Sequence, residues 1–172
     1  MNQQRSNSKL QTMTEIPELL DNLGAHDLAT RRDARLALQS HGRDAVPALL
    51  DRLASGPFPV RWEIVKILGA IGDPAALPAL IQALEDQEHD VRWVAAVALI
   101  RFGPRAHVPL LETLTDKADV PAVRQGVHHV LTAAQDRQHN AALDEVLDAL
   151  GPMEDPSHAI PAAERAIRAL QP

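Results

Sequence analysis

The sequence predicts an all-α fold built as a tandem array of helix pairs, and three observations predict it. An Arg followed by a Gly eleven positions later recurs along the chain, as Arg31 and Gly42, Arg61 and Gly72, and Arg92 and Gly103. The Arg spacing is 30 and then 31, and Arg124 follows after 32 more. Repetition at such a period is the signature of stacked supersecondary units. Apolar residues make up 45% of the 172 residues while Phe, Trp and Tyr together make up 2%. That apolar content is therefore mainly Ala, Leu, Val and Ile, which suits packed helices and not an aromatic-rich β-sandwich. Thirteen prolines fall almost entirely at the edges of periodic segments, where they punctuate helices instead of breaking them.

Each element follows from local chemistry. The first pair runs over about 15–41, opening on IPELLDNL (16–23) and continuing with TRRDARLALQSHG (30–42). The second, about 45–72, joins VPALLDRL (46–53) to VRWEIVKILGAIG (60–72). The third, about 74–103, joins LPALIQAL (77–84) to VRWVAAVALIRFG (91–103). The fourth, about 104–135, joins VPLLETL (108–114) to VRQGVHHVLTAAQ (123–135), which loses the terminal Gly. The fifth, about 140–170, joins AALDEVLDAL (141–150) to PAAERAIRAL (161–170), read as a last segment of the VR-helix type. Apolar residues recur at three- and four-residue spacing, as in Val60, Ile64, Ile67, Leu68 and Ile71, which lays one stripe on a helix. Gly42, Gly72 and Gly103 stand where a helix should stop, and Asp73-Pro74 and Gly103-Pro104 read as stop-then-start signals. Pro17, Pro47, Pro78 and Pro109 sit near helix starts. Residues 1–13 read as a flexible polar tail and 151–156 as a loop, leaving 14–172 as a single repeat domain.

Composition excludes several function classes. There is no Cys, so no disulfide framework, thiolate metal site or cysteine nucleophile exists. A net charge of −6 argues against a generic nucleic-acid binder. No uninterrupted apolar run approaches the roughly 18 residues that span a bilayer, and the polar start MNQQRSNSKLQTM lacks the apolar core of a signal peptide. A cytoplasmic protein with no membrane partner is the expectation.

The run VRWEIVKILGAIGDPAALPALIQALED (60–86) resembles the HEAT repeat, in the short form also found in phycobilin-lyase-type repeats. The resemblance extends over nearly the whole chain after residue 14. It implies antiparallel helix pairs stacked into a right-handed α-solenoid, with the VR helix on the inner, concave side and the xPALLxxL helix on the outer, convex side. It also implies an Asp six residues before the Arg that helps hold neighbouring repeats. Asp86 and Arg92 match, but positions 25, 55 and 118 are Ala, Ser and Ala, so the device is expected to be mostly absent.

A solenoid leaves an extended concave surface for partners, so the inner-helix positions outside the apolar stripe matter most. The residue after the Arg is Arg32, Trp62, Trp93 and Gln125 in turn, and one turn later come Leu36, Lys66, Val97 and His129. Trp62 and Trp93, the only two tryptophans, share one register and are expected side by side as apolar anchors, Trp being enriched in binding hot spots. The competing reading makes both ordinary packing residues. The five inner segments hold ten of the seventeen Lys and Arg against five acids, a mildly basic layer that is also explained by Arg residues bridging repeats. The candidate partner-binding residues are Trp62, Trp93, Arg61, Lys66, Arg92, Val97, His129 and Arg124, and the expected partner is a protein or peptide with an acidic segment.

Enzymatic readings find less support. No HExxH, no His pair at i, i+4, no phosphate-binding Gly loop and no GxSxG occurs, so no catalytic residue, metal or cofactor is assigned. Deoxyhypusine hydroxylases resemble the repeat but use His-Glu pairs, and this chain has only Glu88-His89 in reverse order. Alkylpurine DNA glycosylases use a related solenoid with tryptophans and an Asp in a basic groove, whereas Lys66 and Val97 stand here one turn after the tryptophans. Nucleic-acid binding through the inner Arg rows and a phycobilin-lyase-like or chaperone role on a tetrapyrrole-bearing protein remain the alternatives to a non-enzymatic interaction module.

Overall fold

The computed structural model describes residues 15–151 and 154–171. The expected tail, 1–13, and Pro152 and Met153 of the expected loop lie outside the described residues. The chain adopts an all-α repeat fold, with no strand among the described residues. It divides into two compact units between Ala76 and Leu77. The first contains α1 (15–22), α2 (Leu28–His41), α3 (Val46–Ser55) and α4 (Phe58–Ile71). The second contains α5 (Leu77–Gln82), α6 (His89–Phe102), α7 (His107–Asp116), α8 (Pro121–Arg137), α9 (Ala141–Ala149) and α10 (Ala159–Leu170).

The helix boundaries follow the stop signals. Gly42 and Gly103 take φ of 57° and 59° with ψ of −128° and −139°, a region that a Cβ makes prohibitive. Each then leads into one 3-10 turn, Gly42–Ala45 and Gly103–Ala106. Where the Gly is missing, at Gln135, the helix runs on: α8 has 17 residues against 14 in α2, α4 and α6. At the other end of α2, Asp27 accepts from the Thr30 N–H at 2.8 Å, satisfying an otherwise orphaned donor. Hydrogen bonding from the Thr30 side chain, and then from its N–H, holds the Asp27 carboxyl below the usual carboxylate range.

In the second unit α6 and α8 form one layer and α5 and α7 the other. The last pair departs from this order. α10 packs mainly against α7 and α9, which puts it beside an outer-type helix, and α9 adjoins α8. The assignment of 161–170 to the inner layer is therefore corrected. The physical reason lies in the buried face of α10, which is Ala159, Ala162, Ala163 and Ala166. That all-alanine stripe allows close approach to the leucine-rich α7, with its buried Leu110, Leu111 and Leu114. Arg165 consequently leaves the basic inner row and pairs with Glu145 on α9, its Nε donating to the carboxylate at 2.9 Å. The pairing lowers the Glu145 pKa and raises that of Arg165.

Residues His89–Asp116 contain an 18-residue window apolar enough to cross a membrane by composition alone, at a mean hydropathy of 1.3. They are two helices separated at Gly103, and half of that window is buried. Core packing explains its apolar character.

Two residues of the second unit carry stability predictions. His107 begins α7, is 7% exposed, and burial lowers its pKa from the usual 6.5. Below about pH 6.5 the unfolded chain takes up a proton that the folded chain refuses. The stability tied to neutral His107 is therefore complete above that pH and declines as the pH falls below it. The urea midpoint should drop more between pH 7.5 and 5.5 in the native protein than in His107→Gln. Gly126 on α8 lies against Leu84, so a Cβ there would meet the two Cδ atoms at 2.8 and 3.0 Å and Cγ at 3.2 Å. Leu84 is itself buried. Gly126→Ala should therefore lower stability by about 1–2 kcal/mol, overpacking outweighing a helix-propensity gain of at most about 1 kcal/mol. Urea unfolding checks the sign.

Candidate functional site

In the first unit α4 carries Trp62 and Lys66 one turn apart. The Lys66 ammonium stands 3.6 Å from the Trp62 ring centroid, a cation–π contact, and both residues are half-buried. Lys66 also reaches the Glu63 carboxylate at 3.5 Å, and Arg35 of α2 reaches the same carboxylate at 3.1 Å. Glu63 is only 5% exposed, so these two cations compensate a charge that would be costly to bury alone. Desolvation lowers the Lys66 pKa, opposed by Glu63. Glu63 escaped sequence reasoning as a buried group. Its signal was its place between apolar Val60, Ile64 and Ile67 on α4.

In the second unit Trp93 and His129 come together. Their ring centroids are 4.7 Å apart with the planes tilted by 33°. Trp93 is 52% exposed and Val97, one turn along α6, is 40% exposed. These two residues are therefore not ordinary core. Leu36 of the first unit, at the register position of Val97, is exposed as well. Beside the stacked pair a small groove of about 180 Å³ runs between α6 and α8, bordered by His89, Arg92 and Gln125. The groove exists because Ala96, Ala122 and Gly126, with little or no side chain, line it together with Leu84. The arrangement offers an aromatic platform beside a groove with an apolar floor and polar rim, able to take one inserted side chain.

The repeated Arg has a structural use whose acceptor the sequence did not reveal. Arg31 donates to the carbonyls of Ala25 and His26 at 2.6 and 2.9 Å, and Arg61 to that of Gly56 at 3.0 Å. Arg92 donates to those of Asp86 and Gln87 at 2.8 and 3.0 Å, and Arg124 to that of Ala118 at 2.6 Å. Each guanidinium ties its helix to the turn before it, satisfying main-chain acceptors left over where the preceding helix ends. The Asp is absent at positions 25, 55 and 118 as expected, and a main-chain carbonyl of the turn, which any residue supplies, serves as the acceptor. Where Asp86 is present, its side chain accepts from the Glu88 N–H at 2.9 Å. Arg61, Arg92 and Arg124 thus spend part of their hydrogen-bonding capacity internally. Among the described residues no group of three or more His, Asp or Glu stands together as a metal cluster would.

Comparison with known proteins adds two findings. Residues 46–132 and 77–171 match the family model for HEAT repeats. A chain in the structure of the complex of CpcE and CpcF of phycocyanin lyase from Nostoc sp. PCC7120 superposes with a TM-score of 0.62. It is 24% identical, and the match covers 92% of this chain and 99% of that one. At that identity the likeness shows the fold alone. No curated protein matches.

Proposed function

The chain belongs to the HEAT-repeat family, and on that premise we propose that it is a non-enzymatic interaction module whose partner seats on the VR-helix face. The observation that carries this reading is the half-exposed Trp93 stacked on His129 beside the groove between α6 and α8. Leaving Trp in contact with water is unfavourable unless a partner covers it, and Trp is enriched where binding energy concentrates. Trp62 with Lys66 on the first unit would supply a second contact of the same type, and Lys66 and Arg92 would favour an acidic segment in the partner. Arg61 and Arg124 would contribute as flanking charge, held in place by their main-chain bonds.

The test is a nuclease-treated pull-down from native extract, with wild type beside Trp62→Ala/Trp93→Ala, both first checked by circular dichroism. A protein band retained by wild type and lost by the folded double variant supports the reading. Equal capture by both, with the variant melting lower, assigns the tryptophans to packing and sinks it. The whole-chain likeness in fold to a phycocyanin lyase complex favours one further reading, a subunit acting on a tetrapyrrole-bearing protein. It predicts visible absorbance on mixing with a bilin and quenching of the two tryptophans. Nucleic-acid binding would instead show a steep loss of affinity with salt.

A further inference from the structure

A second cavity, of about 640 Å³, lies in the second unit where α6 and α8 end and α7 and α9 begin. Its size falls within the range of small-molecule sites. Leu99, Val108, Val130, Ala134 and Leu170 supply apolar wall. Its polar lining is distinctive. In a chain with 23 Asp and Glu, no Asp or Glu among the described residues borders the cavity, while Arg137, His139 and His107 do.

His107 is the second, independent observation. It is 93% removed from solvent by its 7% exposure, it lines the cavity, and no group among the described residues hydrogen-bonds its imidazole. Its ring nitrogens are not sealed off from solvent, and the residue lines the cavity, so the imidazole is open to hydrogen-bond with an occupant of the cavity. The charged groups weigh toward an anion. Arg137 spends one N–H on the Ile100 carbonyl, at 3.1 Å, which also neutralises the partial negative charge at the end of α6. Arg137 is exposed and lines the cavity. His139 Nε2 lies 3.5 Å from the Asp144 carboxylate and so does not count among the groups that favour an anion. The start of α9, at Asn140 and Ala141, borders the cavity and favours negative charge there.

We propose that this cavity binds a small amphipathic carboxylate, its apolar body against Leu99, Val108 and Val130, its carboxylate at Arg137, and a polar atom of the ligand at the imidazole of His107. The site is distinct from the Trp93 groove and does not depend on that groove's function.

The test uses the full chain and a matched pair of probes, 1-naphthaleneacetic acid and its neutral amide, followed by the ¹³Cε1–¹H signals of the histidines and by calorimetry at pH 7.5. The expected result is a saturable shift of the His107 signal with the acid and at least tenfold weaker binding of the amide. Arg137→Gln should bring the acid down to the level of the amide, while Arg137→Lys, which keeps the charge, should restore most of the difference. Arg137 is exposed at a helix end, so both variants should fold, as thermal melts would confirm. His107→Gln tests the imidazole separately. The proposal is overturned if neither probe moves the His107 signal, if acid and amide bind alike, or if Arg137→Gln binds the acid as tightly as the native protein.

Discussion

Trp93→Ala should weaken partner binding by about 2 kcal/mol or more, roughly thirtyfold, while leaving the melting temperature within a degree or two of the native value. The position of the ring decides both effects. Trp93 is 52% exposed, so its removal opens no core cavity, and the large-to-small penalty of a buried aromatic does not apply. It loses its stacking on His129, worth on the order of 1 kcal/mol at most. On a bound partner the same ring would be covered on both faces, and truncation would forfeit most of that contact. His129→Ala should cost less, because the imidazole supports the indole and offers less apolar area of its own. Calorimetric titration with the captured partner, alongside thermal melts of both variants, checks the pattern. A melting temperature lowered by many degrees with affinity unchanged would refute it.

Leu111→Ala should lower stability by about 3 kcal/mol, the largest effect expected of a single substitution described so far. Leu111 is fully buried on α7, and α7 is contacted by α5, α8 and α10. A helix gripped on three sides cannot easily shift to fill the space left by three lost carbons, so the transfer cost and the cavity cost add. Glu112, next along the same helix, is exposed, and Glu112→Ala should change stability by less than about 0.5 kcal/mol. Urea unfolding followed by circular dichroism compares the two. A loss below about 1 kcal/mol for Leu111→Ala would show that α7 is not packed as described.

Much of the architecture was legible because it is written in local chemistry that repeats. Gly42, Gly72 and Gly103 marked helix ends through a backbone geometry that only glycine takes readily, and the loss of the fourth glycine surfaced as three further residues of α8. The reversal of the last pair was not legible. PAAERAIRAL has a helical period, and period alone cannot tell which neighbour its alanine face will meet. The same limit applies to the site. Register identified the row holding Trp93, Val97 and His129, of which Trp93 and Val97 are exposed and His129 is half-buried. It could not show that Lys66 would fold over Trp62, that Glu63 would be drawn inside between two cations, or that His107 would be buried without a partner. Those outcomes depend on side-chain conformations and on groups up to 28 residues away, as with Arg35 and Glu63.

The arginine bonds to the turns have a bearing on how such a chain tolerates change. A clasp that grips a carbonyl oxygen reads a part of the polypeptide common to every residue type. Ala25, Gly56, Asp86 and Ala118 serve it alike. Mutation can therefore rewrite the turn side chains, and with them the chemistry displayed at that edge, while the joint between the helices stays locked. The burden of keeping the joint falls on one position per repeat, where a guanidinium reaches back five or six residues and the single ammonium of lysine is a poor substitute.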